Sequence, residues 1–467
     1  MDRPNILFIM ADDHTSQTWG CYNSRLAPCI STPNIDRIAA EGALLNNCFC
    51  TNSICVPSRA TILTGQYSHE NGVRTLADSL DPDQDIVAKH LQAAGYQTAV
   101  FGKWHLGKEP SGFHYYNVLH GQGRYLNPVL WEKGQDWDGE GTRYEGHSTD
   151  IITDHTLNWL KQQDTSDRPF FCMCHFKATH EPFYSHERYR SLYEDVDFPE
   201  PEDLLADEAP QNKVFQGWPL EIQQQRRLEK PDNYPPPKLD VEGLDAEEAR
   251  RATYQDMMKD YMRTVAGIDD NIGRLLAYLE ESGLGENTVV IYTSDQGYFL
   301  GEHNLFDKRF MLEESLRMPF VIRYPREIPA GTVVDDIVTN VDFAELFLDY
   351  AGKEVPGFMS GQSFRENLRG RTPEHWPEAM YYHYWPPRQP ERPSHYGIRT
   401  HQYKLIYYYG LVRDDNRAPE DCWELYDLDR DPLELRNRYR DPEYADVIPD
   451  LRAKLSDLRA RYGDTEL

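Results

Sequence analysis

Strands that alternate with helices through the first three quarters of the chain restrict most strongly the folds open to it. A long helix carries an apolar stripe from Val265 to Leu279 and ends at Gly283. Such alternation is typical of α/β proteins, in which helices cover a largely parallel sheet. The sequence therefore predicts an α/β sandwich with a large, mostly parallel central sheet. The predicted strands are short apolar runs at residues 5–10, 98–101, 170–176, 288–293 and 320–323.

Two regions interrupt this alternation. Residues 194–248 are rich in Pro, Glu, Asp and Gln, show little periodicity and include a Tyr-Pro-Pro-Pro run at 234–237. We interpret them as a surface insertion that either borders the entrance to a binding site or has no role of its own. Beyond them, short aromatic-rich strands and a helix near 447–462 predict a small antiparallel sheet with a packed helix. The expected organisation is a large α/β domain over 1–355 and this smaller unit over 356–467.

The net charge of −28 over 467 residues limits the partners of the surface. An acidic surface repels nucleic acids and anionic membranes, so neither is an expected partner. An anionic substrate would be repelled as well, and its pocket must therefore be locally basic. No apolar run reaches transmembrane length, and the first residues show no signal-peptide pattern. As written, the chain is expected to be cytoplasmic, or periplasmic or secreted if a signal has been removed.

The eight cysteines form no Cys-x-x-Cys pair and no zinc-ribbon spacing. Cys48 and Cys50, like Cys172 and Cys174, are alternate residues of extended segments, so each pair shares one face. A disulfide framework is not expected in a chain of this size without an export signal. We expect buried, reduced thiols at these four positions.

The run from Cys55 to Arg59, Cys-Val-Pro-Ser-Arg, is predicted to open a short helix. Pro57 suits the first turn, where its missing N–H would have no partner, and Gly65 suits the end of the helix. The side chain of Cys55 would then lie at a helix N-terminus, where unpaired N–H groups favour negative charge. Taken alone, the pattern also fits a buried cysteine at the start of a core helix.

This run resembles the maturation signal of the type I sulfatases, Cys-x-Pro-Ser-Arg followed by Ala-x-x-x-Thr-Gly, which the residues from Ala60 to Gly65 complete. The resemblance extends nearly end to end, from the Pro-Asn-Ile-Leu segment that begins at Pro4 to the Trp-Glu-Leu-Tyr-Asp segment that begins at Trp423. It implies an alkaline phosphatase-like fold. It also implies that a maturation enzyme oxidises Cys55 to Cα-formylglycine.

Acidic residues directly follow two of the predicted strands. Asp12 and Asp13 come after the first strand, and Asp295 and Gln296 after the strand at 288–293. The carboxyl ends of parallel strands form the active-site crevice of such folds, so these side chains can converge. Their oxygens suit Ca²⁺ or Mg²⁺ better than Zn²⁺. The resemblance implies that they bind one divalent cation together with the formylglycine at position 55, most often Ca²⁺, although the family more often has Asn or His where this chain has Gln296.

Four basic residues also follow strands and match the sulfate-binding residues of the family. They are Lys103, His105, His180 and Lys308. Lys103 and His105 alternate along a backbone that we expect to be extended, so both can face one side. Glu302 and His303, in the same segment as Lys308, are expected to be structural.

The resemblance implies a role for each of these groups. Arg59 and the cation would favour the alkoxide of the hydrated formylglycine, which attacks sulfur. Lys103 and Lys308 would neutralise the sulfate oxygens. His180 would protonate or hydrogen-bond the departing alcohol, and His105 would take the proton of the second hydroxyl to expel sulfate.

The segment from Asp295 to Arg317 resembles the branch of the family that acts on sulfated sugars, which includes glucosamine-6-sulfatases. A sulfated poly- or oligosaccharide is therefore the expected substrate. The aromatic run from Tyr381 to Trp385, with Arg388 and His395, either stacks on a sugar ring or packs the small sheet.

Two alternatives stay open at this level. Phosphonate monoester and phosphodiester hydrolases share the fold, the formylglycine and the metal with the sulfatases. A non-catalytic glycan-binding relative is the second alternative, and its binding would survive replacement of Cys55.

Overall fold

The central sheet contains the strands that carry the acidic residues. The computed structural model describes residues 3–165, 168–206, 218–229, 239–385, 393–409 and 422–465. Within those residues, the sheet has ten strands, of which the five central ones are mutually parallel. The prediction of an α/β fold with a large, mostly parallel sheet is confirmed. Across the sheet the order is Thr332–Val334, Ala43–Leu45, Phe320–Arg323, Thr288–Ser294, Asn5–Asp12, Phe170–Thr179, Gln97–Lys103, Tyr115–Leu119, Val129–Glu132 and Thr142–Arg143.

Both faces of the sheet are buried, which explains why its central strands are continuously apolar. Ile6 and Phe8 belong to one core cluster and Leu7 and Ile9 to the other, as the two-residue period of a strand requires. The first cluster packs against the helices Cys55–Thr64, Val87–Ala93 and Phe343–Tyr350. The second packs against the helices Pro33–Ala40, Ser148–Leu160 and Ala246–Glu281.

The region of residues 194–248 contains more regular structure than its sequence indicates. The helix Leu220–Leu228 packs on the long helix Ala246–Glu281, which begins earlier than its aliphatic stripe suggests. Phe198 and Leu204 are buried against it. Polar residues conceal the periodicity here, since part of the contact is a buried ion pair. The Tyr-Pro-Pro-Pro run at 234–237 lies outside the described residues.

The C-terminal part forms the small antiparallel sheet with a helix that the sequence predicts. One face of this sheet packs against the helix Val447–Arg461 through Leu451 and Leu455. The other face, with Tyr382 and Ile406, joins the core of the large sheet. The strands, in order across the sheet, are Ala379–Tyr384, His395–Thr400, Tyr403–Tyr408 and Trp423–Asp427.

The cysteines agree with the expectation of reduced thiols. All eight are free, and Cys48, Cys50, Cys172 and Cys174 are buried. In the part of the chain that the structure describes, no helix combines the length and the apolar character needed to cross a membrane.

Candidate active site

The carboxyl ends of adjacent parallel strands bring three acidic side chains together. Asp12 is the last residue of Asn5–Asp12, Asp13 follows in the left-handed region with a φ of 65°, and Asp295 follows Thr288–Ser294. One carboxylate oxygen of each lies within 4.8 Å of the others, and all three side chains are buried. The backbone N–H of Asp13 donates to Asp295 Oδ1 at 3.2 Å. The predicted convergence of these acids is therefore observed.

Cys55 begins the helix Cys55–Thr64 and faces this cluster. Its thiol donates to Asp12 Oδ1 at 3.3 Å, and Gly65 ends the helix with a φ of 63°, as its sequence predicts. Burial, with the nearby Asp12 carboxylate, raises the pKa of the Cys55 thiol well above its ordinary value. The unmodified thiol is therefore protonated at neutral pH and is a poor nucleophile.

Gln296 completes a set of oxygen donors. Its Nε2 donates to Asp13 and lies 3.9 Å from Cys55 Sγ. Its Oε1 is buried and, among the described residues, accepts no hydrogen bond. A buried amide oxygen without a partner beside three carboxylates is the donor set that a hard divalent cation prefers.

The electrostatics of the cluster also favour a cation. Burial, opposed by Lys308, raises the pKa of Asp13 to about 6. Burial together with the Asp12 carboxylate raises the pKa of Asp295 to about 7. Burial therefore disfavours the ionised forms of Asp13 and Asp295, and a bound cation would stabilise them. The residues present fit a divalent metal site.

Three cations surround the acidic residues, each beside a carboxylate. Arg59 Nε donates to Asp295 Oδ2 at 2.9 Å, and its Nη1 donates to the backbone oxygen of Lys103 at 2.8 Å. The Lys103 ammonium donates to Asp12. The Lys308 ammonium donates to Asp13 Oδ1 and Oδ2 at 2.5 and 2.6 Å. The local basic residues that an anionic substrate requires are thus present.

His180 lies at the more open side of the site. Its Nε2 is 3.8 Å from Asp13 Oδ2, and its side chain is 19% exposed. Its Nδ1–H donates to the backbone oxygen of Glu181 at 2.6 Å, because a carbonyl can only accept. A neutral ring therefore presents the Nε2 lone pair to the site.

His105 faces the site, but its backbone conformation differs from the expected one. The prediction of an extended chain from Lys103 to His105 is wrong, since His105 is left-handed with a φ of 54°. Burial, with the charge of Lys103, lowers the pKa of His105 to about 2. Its Nδ1 is buried and has no hydrogen-bond partner among the described residues. The ring is therefore neutral, and its Nδ1 is available for a hydrogen bond with a bound group.

Lys177 and His175 are residues that sequence reasoning missed. Both lie in the strand Phe170–Thr179 and are buried. His175 Nδ1–H donates to the backbone oxygen of Lys103 at 3.2 Å. Burial, reinforced by Lys103, lowers the pKa of Lys177 to about 8. The signal in the sequence is a lysine directly after the apolar run that predicts this strand, at 170–176.

The aromatic residues of the small sheet pack inside the protein. Tyr381, Tyr382, Tyr384 and His395 are buried, and the rings of Tyr382 and His395 stack with centroids 5.6 Å apart. Of the two alternatives for this cluster, core packing agrees with the structure for these four residues. Arg388 lies outside the described residues.

Comparison with known proteins gives the family. A family described as sulfatase matches residues 4–353, and one described as N-sulphoglucosamine sulphohydrolase, C-terminal, matches residues 301–461. An N-acetylglucosamine-6-O-sulfatase of Bacteroides thetaiotaomicron is 41% identical over 505 residues, covering 99% of this chain and 88% of that protein. A solved structure of a protein in complex with its substrate D-glucosamine-2-N,6-O-disulfate matches with a TM-score of 0.89 and 39% identity, covering 99% of both chains.

A phosphonate monoester hydrolase of Agrobacterium radiobacter is also similar, with a TM-score of 0.76. The match covers 98% of this chain and 96% of the hydrolase chain. At 22% identity, this similarity shows the shared fold alone. The family match spans most of the chain, and the structure brings together the acidic and basic side chains predicted for a sulfatase site. This protein therefore belongs to the sulfatase family of sulfuric ester hydrolases.

Proposed function

We propose that this protein hydrolyses a 6-O-sulfate ester on a glucosamine unit of a sulfated saccharide and releases inorganic sulfate. The observation that carries the proposal is the similarity over nearly the whole chain to a relative named N-acetylglucosamine-6-O-sulfatase. A solved structure that is similar over the same length contains D-glucosamine-2-N,6-O-disulfate as its substrate. We assign the chemistry to residues 1–355, which contain every site residue named above, and treat residues 356–467 as a supporting unit.

Residue 55 is the proposed nucleophile after oxidation. A maturation enzyme, with an external oxidant, would convert the Cys55 thiol to the aldehyde of formylglycine, which water hydrates to a gem-diol. The raised pKa of the buried thiol supports this proposal, because an unmodified Cys55 would stay protonated. A diol has a further advantage over a single hydroxyl, since its second hydroxyl can expel the bound sulfate.

The metal site is proposed to consist of Asp12, Asp13, Asp295 and Gln296, together with an oxygen of the matured residue 55. Ca²⁺ is the proposed ion and Mg²⁺ the alternative, since both prefer carboxylate and carbonyl oxygens. When bound, such an ion supplies positive charge that favours an ionised diol oxygen and neutralises sulfate oxygens.

The remaining side chains of the site divide the steps of hydrolysis. One diol oxygen attacks sulfur and forms an O–S bond while the S–O bond to the sugar breaks, and Lys103 and Lys308 bind the sulfate oxygens. His180 Nε2 accepts the proton of the attacking hydroxyl and passes it to the departing sugar oxygen. His105 then accepts the proton of the second hydroxyl, the C–O bond to sulfate breaks, and the aldehyde forms again.

Two measurements test this function. The tryptic peptide of residues 38–59, from protein made with the maturation enzyme, should show loss of one sulfur and two hydrogens and gain of one oxygen at Cys55. The matured protein should release sulfate from N-acetylglucosamine-6-O-sulfate and should leave the matched phosphate ester largely intact. A Cys55→Ala variant that keeps full hydrolysis would refute the mechanism, and preference for the phosphate or a phosphonate ester would refute the substrate.

A further inference from the structure

Lys177 is a buried cation beside the active site that has no carboxylate of its own. The residue lies on the strand Phe170–Thr179 and is 3% exposed. Arg59, Lys103 and Lys308 each lie within 4.0 Å of a carboxylate. Among the described residues, no carboxylate lies that close to the Lys177 ammonium. The contact that it makes is with the face of the Tyr125 ring, at 5.1 Å from the centroid.

Tyr125 connects this lysine to the leaving-group side of the site. Its hydroxyl donates to the backbone oxygen of His180 at 2.5 Å, so Lys177 and His180 share a neighbour. The Nδ1–H of His180 is already committed to Glu181. The Lys177 ammonium carries three N–H donors, and no carboxylate of the described residues accepts a hydrogen bond from them.

The charge balance of the site also indicates that the Lys177 ammonium is available to a substrate. Asp12, Asp13 and Asp295 are matched in number by Arg59, Lys103 and Lys308, and these six groups are paired as described above. The charge of Lys177 is additional, and burying it without a purpose would be costly. A lysine side chain has a flexible stem, so its ammonium can reach a substrate bound next to it.

We propose that Lys177 is a further substrate-contacting residue, whose ammonium donates a hydrogen bond to the ester oxygen that joins sulfate to the sugar. The inference deepens the proposed function and rests on it. As the S–O bond breaks, negative charge develops on this oxygen. A cation beside this oxygen in a water-poor site stabilises that charge. A sugar hydroxyl is a far weaker acid than a phenol, so its oxygen needs this stabilisation more.

The test compares leaving groups in the matured, metal-loaded enzyme. Lys177→Met and Lys177→Arg are assayed on N-acetylglucosamine-6-O-sulfate and on a series of aryl sulfates whose phenols differ in acidity. Loss of one donor to a developing negative charge costs about 100-fold or more. We expect Lys177→Met to lower kcat/KM for the sugar by about that factor, but to affect the most acidic phenol only slightly. Lys177→Arg should recover much of the loss, because it restores a cation. Lys108→Met, which removes an exposed lysine, should behave like the unmodified protein.

The results separate this inference from the proposed function. An equal loss on every substrate, or no loss on the sugar, would overturn the role of Lys177. Thermal unfolding shows whether Lys177→Met folds. If it does not fold, the kcat/KM of Lys177→Arg across the series of leaving groups tests the role of Lys177 instead. If the matured enzyme without a substitution cleaved aryl sulfates but not the sugar, the proposed substrate would be refuted. The aryl series would still test Lys177.

Discussion

At the scale of single residues, the buried acidic cluster determines how the site depends on a cation. Asp12, Asp13 and Asp295 crowd their oxygens within 4.8 Å of one another. We expect Ca²⁺ to raise Tm, because a ligand at a hundredfold excess over its Kd stabilises the folded state by about 2.7 kcal/mol. Asp12→Asn should remove most of this shift and abolish hydrolysis. Differential scanning calorimetry with and without Ca²⁺ provides the measurement.

The matched control for this prediction is Asp83→Asn, which alters an exposed carboxylate away from the strand ends. It should keep the full Ca²⁺-dependent rise in Tm. If Asp12→Asn showed the same rise as the control, Ca²⁺ would bind elsewhere, and the four oxygen donors would not be the metal site.

The acidic residues were predicted from the sequence, whereas Lys177 was missed although it carries a similar signal. Asp12 and Asp295 stand out because charged residues that follow an apolar strand must lie at its carboxyl end. Lys177 follows the predicted strand at 170–176 in the same way, but the strand continues to Thr179 and all ten of its residues are buried, so alternation does not show which face Lys177 occupies. The left-handed backbone of His105 also left no sign in the sequence, although the residue still faces the site.

At the scale of elements, His303 connects the segment around Asp203 to the short helix Glu313–Leu316 through ionic contacts. Its Nδ1 lies 3.0 Å from Asp203 Oδ2, and its Nε2 lies 3.7 Å from Glu314 Oε2. Burial opposes the charged ring, but hydrogen bonding to Asp203 and the negative charges of Asp203 and Glu314 outweigh it and raise the pKa of His303 to about 10. These contacts agree with a structural role for His303, which stays a prediction.

This contact predicts a pH dependence of stability. A raised folded-state pKa means that the ion pairs stabilise the protein fully below the unfolded pKa, near 6.5, and cease to do so as pH rises through about 10. His303→Asn, which tolerates the left-handed backbone, should lower the free energy of unfolding by about 3 kcal/mol at acidic to neutral pH. The difference from the unmodified protein should shrink steadily towards alkaline pH. Thermal unfolding across this range measures it.

The exposed His401 offers the control. His401→Asn should leave Tm nearly unchanged at every pH. A loss for His303→Asn that stayed constant from neutral to alkaline pH would mean that packing, and not ionic contact, holds these two segments together.

The elements themselves were predicted where apolar periodicity is strong and not where polar contacts replace it. The central strands and the aliphatic half of the long helix follow the expected patterns. The helix Leu220–Leu228 does not, because Arg227 packs it against the long helix through an ion pair with Asp260 at 2.8 Å. In a sequence, a buried charged residue cannot be distinguished from an exposed one. The sequence of residues 194–248 therefore predicts an irregular insertion.

At the scale of the whole molecule, the charge of the body and the charge of the site act on a substrate in opposite senses. The net charge of −28 repels a sulfated saccharide at long range, whereas Arg59, Lys103, Lys177 and Lys308 attract it only nearby. The Debye length falls from about 30 Å at 0.01 M salt to about 8 Å at 0.15 M. Salt therefore screens the long-range repulsion by the acidic surface more than the short-range attraction inside the site. We expect kcat/KM for a multiply sulfated oligosaccharide to rise about two- to fivefold over this range.

The size of this effect should depend on the charge of the substrate, because repulsion scales with it. A monosulfated sugar should show a smaller rise in kcat/KM than the oligosaccharide does in the same NaCl series. The value of kcat should change little for either, since the bound sulfate contacts its cations at distances too short for salt to screen. A kcat/KM that fell with salt would show that the basic site, and not the acidic body, controls the approach of the substrate.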